Sequence, residues 1–284
     1  MGRAFARPLL ICSKRLVIQM KKIDMFKEYV GQLVFRCIVL LVVLGAYLFE
    51  PQYFDMIWTE NIQVEWISQG YTMTQVQQML DKYNVLWIYV VWAIFMFSMI
   101  IQMFPQSKRI TMGSKKGFVS HYHPVENYDE LEMHRYVQRN NLAALRILLV
   151  WLSFNAIFGL LYVINIIGRK ELVLLTTFYY VCDLICVVLW CPFQSFFIKN
   201  KCCVNCRIFN WGYFMMFTPM LFIPHFFSWS LFFTSLVMMI RWEITLLKHP
   251  ERFWEGSNDI LKCRNCQDKI CKFKGPKFLE RHEK

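Results

Sequence analysis

Residues 208–247 read IFNWGYFMMFTPMLFIPHFFSWSLFFTSLVMMIRWEITLL, forty residues in which Arg241 and Glu243 are the only charged side chains. As one helix this stretch would measure about 60 Å, twice the roughly 30 Å hydrocarbon core of a bilayer. Pro219 and Pro224 interrupt it, and residues 225–228 offer a turn. The expectation is two short membrane crossings, 208–223 and 228–247, with a re-entrant hairpin as the alternative.

Four further apolar runs lie upstream, at 31–49, 85–104, 142–167 and 172–190. The chain as a whole is 56% hydrophobic and only 18% charged, too little polar residue to clothe a soluble domain of this size. The fold class read from these runs is all-α, a polytopic transmembrane bundle of about six spans. Its parts are a basic cytosolic N-terminal segment (1–30), the helical membrane domain (31–247) and a cysteine-rich, basic cytosolic tail (248–284). Residues 1–19 read as a disordered extension, because Met20 opens MKKIDMFKEY, itself a plausible start. Between the first two spans Thr74 can cap a short helix over 74–83. Residues 127–141 read as an amphipathic helix leading into the third span.

Charge sets the orientation. With six spans, the pieces on the side of both termini carry 26 Lys and Arg and the opposite pieces carry three. With five spans the tail would change sides and the split would be 16 against 13. The positive-inside rule prefers six, with both termini cytosolic in the plasma membrane. The net charge of +12 is therefore read as topology. No nucleic-acid motif accompanies it, so the bilayer is the expected partner, with a redox or membrane protein beside it and no nucleic acid. Phosphate-binding loops, a G-x-S-x-G elbow and H-E-x-x-H are absent from the sequence, and no enzyme class is indicated.

Just before the forty-residue run stands KCCVNCR, residues 201–207, with Cys202, Cys203 and Cys206. The tail adds Cys263, Cys266 and Cys271. Each group contains C-x2-C, the spacing at which two thiolates reach one ion. Cys203, Cys206, Cys263 and Cys266 make the simplest tetrahedral zinc set, with Cys202 and Cys271 as alternates. Thiols on a reducing side stay free for such a site. The leading expectation is a non-enzymatic membrane protein whose structural zinc joins loop to tail. An iron–sulfur cluster on the same sulfurs would instead make an electron-transfer component. Cys182, Cys186 and Cys191 in and after span four read as packing residues or as a second redox or metal site.

Ionisable residues inside apolar spans are costly and usually paired or functional. Arg36, Arg146, Asp183, Arg241 and Glu243 enter their spans to similar depth from the same side. The expectation is one charged cluster, and a third reading follows from it: a transporter of an anionic ligand. His121, His123 and His134 read as solvated, and a lone His225 cannot supply the paired axial ligands of a membrane haem.

Overall fold

The computed structural model describes residues 6–49, 67, 70–75, 78, 86–104, 112–200 and 202–266, with side chains from residue 28 onward except at 86–88 and 112. The described residues are all-α. Helix α1 runs from Ala6–Phe49, α2 from Leu86–Gln102, α3 from Glu130–Val163 and α4 from Arg169–Val188. A short α5, Gly212–Phe217, and a long α6, Phe226–Lys248, follow.

Among the described residues four helices are long and apolar enough to cross a membrane: the Glu28–Phe49 part of α1, then α3, α4 and α6. Their outward faces are those of lipid-embedded helices, with Leu41 66% exposed and Leu160 61% exposed. The architecture fits an integral membrane protein. Helix α2 is apolar but has 17 residues, about 25 Å, a little under the usual span.

Several boundaries differ from the sequence expectation, each for a visible reason. Helix α1 begins at Ala6, inside the expected N-terminal extension. No glycine or proline interrupts 9–30, and Pro8 sits in the first turn, where its missing N–H is harmless. The expected amphipathic helix and third span are one helix of 34 residues. Asp129 starts it, accepting from the amides of Leu131 (2.8 Å) and Glu132 (3.3 Å). Asn140, buried at the junction, donates to the Tyr136 carbonyl at 3.0 Å and so needs no break in the helix. Gly168 caps the start of α4, its amide donating to the Glu171 carboxylate at 2.7 Å. Within the expected 74–83 helix, only part of the segment lies among the described residues.

The fifth expected span is a broken segment. A 3₁₀ turn at Phe209–Trp211 leads into the six residues of α5 and then into a second 3₁₀ stretch, Thr218–Phe222. Such a segment is tolerated at membrane depth only when protein surrounds it. Phe214, Met216, Phe217, Thr218, Pro219 and Met220 are all buried. Helices α3, α4 and α6 enclose them, and Thr218 is satisfied by Trp151 Nε1 (3.1 Å) and the Phe214 carbonyl (2.8 Å). Pro224 and His225 then turn the chain, and His225 Nδ1 caps α6 at the Phe227 amide (3.4 Å).

Two apolar cores flank this segment. One joins Ile147, Trp211, Phe214, Trp242, Leu246 and Phe253 at the end of the bundle that carries the cysteine loop. The other joins Met99, Leu172, Phe217, Ile223 and Leu231 toward the opposite end. The described part of the tail folds onto the bundle and, through Phe253, closes the first core. Its Asn258 receives the His123 amide (3.1 Å), and the Asp259 amide donates to the His123 carbonyl (2.8 Å).

Candidate functional site

Polar residues one helical turn apart mark the inner face of two spans. Gln32 and Arg36 lie four apart on α1, and Ser98 and Gln102 four apart on α2, so each pair shares a face. In the structure these faces meet α4 and the broken segment around a cavity of about 490 Å³. Ser114 and Asn210, from the loops at the same end, complete its wall.

Asp183 of α4 anchors this site. Arg36 Nη1 approaches Asp183 Oδ2 at 2.9 Å and also donates to the Tyr180 carbonyl at 2.7 Å. The guanidinium lies 4.2 Å from the Tyr180 ring centre. The Arg36 side chain is 15% exposed and that of Asp183 36%, so the carboxylate retains an open face toward the cavity. Opposite stands Tyr213, whose hydroxyl meets Ser98 Oγ at 2.6 Å and accepts from Gln102 Nε2 at 3.1 Å. Ser114 Oγ donates to Asn210 Oδ1.

The five charged residues do not form a single cluster. Glu243 binds Arg207 of the cysteine loop through both carboxylate oxygens and accepts from Trp211 Nε1 at 2.8 Å. Arg241 donates to the Met103 carbonyl and lies over Phe118. Two residues apart on α6, Arg241 and Glu243 point about 200° apart and cannot share a partner. Arg146 is on an exposed face of α3. The grouping therefore reduces to Arg36 with Asp183, and the depth of a charge in its span did not reveal which way the side chain turns.

The cysteines also divide. Cys203 donates to Gln194 Oε1 (3.4 Å) and lies 3.7 Å from the Val187 carbonyl. With Cys206 it lines a second cavity of about 300 Å³ beside α4. Cys202 and Cys266 instead pack on Val204 and Leu261 in a small apolar cluster between loop and tail. Cys263 is exposed, and Cys271 lies outside the described residues. Among the described residues no three His, Cys, Asp or Glu side chains are grouped to hold a metal ion.

Sequence reading overlooked what fastens the loop. Lys116, 1% exposed, donates to the carbonyls of Val204 (2.8 Å) and Cys206 (2.9 Å). Its ammonium lies over the rings of Trp242 and Phe253. Burial pulls the lysine down to about 8, against the opposing pull of the Cys206 and Cys202 sulfurs. Burial likewise pushes the Cys202 and Cys206 thiols up to about 12. Asn205 Nδ2 donates to the Glu255 carboxylate at 2.9 Å, a further tie between loop and tail.

Comparison with protein-family models, with curated proteins and with solved structures finds no match to this chain.

Proposed function

We propose that this is a membrane-embedded binding protein for a small polar solute, held in the cavity between α1, α2, α4 and the broken segment. The observation that carries the reading is the Arg36–Asp183 pair, which sits on the wall of a cavity where hydroxyl and amide groups stand among apolar side chains such as Phe95 and Met238. A buried ion pair is weak evidence for stability but good evidence for a use, because apolar residues would hold two helices together at lower cost.

The charge count favours a neutral or cationic solute over the anion suggested by the arginine-rich sequence. Among the described residues Arg36 is the one cation on the cavity wall and is engaged by Asp183, while Glu28 adds a second carboxylate to the lining. An alkylammonium group or a polyol would find the open face of Asp183, the Tyr213 hydroxyl and the Ser98–Gln102 pair. The cavity lies at the end of the bundle that bears the basic loops, which supports loading from the cytosolic side. Whether binding serves passage or sensing is decided by flux.

The test is a thermal-shift screen of small amines, amino acids and polyols on the full chain in detergent micelles. A stabilising solute that loses its effect in Asp183→Asn and in Tyr213→Phe, both still helical by circular dichroism, supports the reading. Stabilisation by anions alone, unaffected by these changes, overturns it. Counterflow of the same solute in proteoliposomes then separates a transporter from a sensor.

A second reading keeps a metal clasp between loop and tail. It rests on the packing of Cys202 and Cys266 in one cluster, to which Cys263 and Cys271 would have to contribute. Metal analysis of protein purified without oxygen tests it: one zinc per chain supports the clasp, visible absorption that bleaches on reduction supports an iron–sulfur cluster, and neither rejects both.

A further inference from the structure

The second cavity is lined by sulfur. Five thiols reach it from three places: Cys182 and Cys186 on α4, Cys191 just after it, and Cys203 and Cys206 from the loop. Met215 and Met216 add two thioethers, and half of the other lining residues are aromatic. The Cys186 and Cys191 thiols interact through their side chains, and both line the cavity. Cys191 Sγ also accepts the Gln194 amide (3.4 Å), and Gln194 Oε1 receives Cys203. Gln194 is itself buried and donates to the Asn200 carbonyl at 2.7 Å, so the sulfurs are held by a fixed frame.

We propose that this cavity is a site for a soft monovalent metal ion of the copper(I) class, bridged between Cys186 and Cys191. Thiolate and thioether donors select soft ions, and an apolar wall offers little to the oxygen-seeking ones. Zinc wants four ligands, and no three suitable groups stand together among the described residues. A d10 monovalent ion is content with two sulfurs in line. The charge also balances: the ion displaces one S–H proton, forms one sulfur–metal bond as a thiolate and takes the second sulfur as a neutral thiol. One proton leaves, no electron moves, and the cavity gains no net charge. The cavity adjoins the polar one, with which it shares Asp183, Val187, Phe209, Gly212 and Met216, but the proposal does not rest on solute binding there.

Silver(I) serves as a probe that does not change oxidation state. The full chain in micelles, reduced and free of oxygen, is given one equivalent and then treated with N-ethylmaleimide. Peptide mapping should show Cys186 and Cys191 protected, Cys263 alkylated, and about one proton released per ion. Cys186→Ser and Cys191→Ser should each weaken binding by at least about tenfold, and Cys202→Ser should leave it unchanged. Protection of Cys202 and Cys266 instead, wild-type affinity in either serine variant, or no binding at one equivalent would overturn the proposal. The protection pattern is read on the unaltered chain, so it stands even where a serine variant fails to fold.

Discussion

A methyl group on Gly212 would sit 2.5 Å from Asp183 Oδ1. The glycine that opens α5 is thus the space into which the α4 carboxylate fits, and the broken segment is shaped to the ion pair. Gly212→Ala should push Asp183 off Arg36 and lower stability by about 1–3 kcal/mol, the usual cost of overpacking. Thermal unfolding in micelles measures it. Asp183→Asn should not rescue the variant, since the amide has the same volume; rescue by Asp183→Ala would show that the clash is with the carboxylate.

The ion pair itself gives a second expectation. Asp183→Asn leaves the Arg36 charge largely buried without its counter-charge and should cost about 1–3 kcal/mol. That is less than the roughly 3–5 kcal/mol of a fully buried pair, because Asp183 is 36% exposed. Replacing both, as Arg36→Met with Asp183→Leu, should recover most of the loss while abolishing solute binding. A double variant no more stable than the worse single one would mean that the pair does not act as a unit.

Alkaline titration of the metal-free protein should show opposing slopes. Lys116 falls from an ordinary 10.5 to about 8, so the unfolded chain holds its proton longer. Its burial destabilises fully below pH 8, and that cost is relieved between pH 8 and 10.5. Cys202 and Cys206 rise from 9.0 to about 12. The stability they contribute is complete below pH 9 and is lost toward pH 12. One lysine acts alone from pH 8 to 9, and two thiols outweigh it above. The melting temperature should rise slightly and then fall, with Lys116→Met removing the rise. A steady decline from pH 7 in the unaltered chain would contradict this.

Accessibility of the thiols tests orientation. Cys263 is exposed and Cys206 buried. A membrane-impermeant maleimide should label Cys263 in inverted vesicles and not in intact cells, while Cys206 resists it in both. Labelling of Cys263 from outside intact cells would reverse the topology drawn from the basic loops.

The long helices were legible because each apolar run is bounded by a charge, a glycine or a proline. The broken segment was half legible: Pro219 and Pro224 announced an interruption, yet composition cannot tell lipid-facing phenylalanine from Phe214 and Phe217 enclosed by neighbouring helices. Asp183 stood out as an acid in an apolar run, and Arg36 was among its possible partners. Arg207 as the partner of Glu243 was not, because the pairing depends on how the loop folds back over α6. For the cysteines, C-x2-C spacing carried no direction. Cys203 and Cys206 turn toward the cavity beside α4 and Cys202 toward the tail, with Lys116 and Gln194 holding the backbone carbonyls and the Cys203 side chain between them. Lys116 itself looked like one more basic loop residue.

The 3₁₀–α–3₁₀ stretch from Phe209 to Phe222 also constrains how the protein is made. Released into lipid alone, it would present unpaired backbone amides and carbonyls to hydrocarbon, which a continuous helix never does. It can settle only after α3, α4 and α6 are present to receive it, and α6 is the last of these to leave the ribosome. Biogenesis of this chain must therefore hold residues 209–222 waiting at the insertion machinery, making that interval the point at which quality control would find an unfinished molecule.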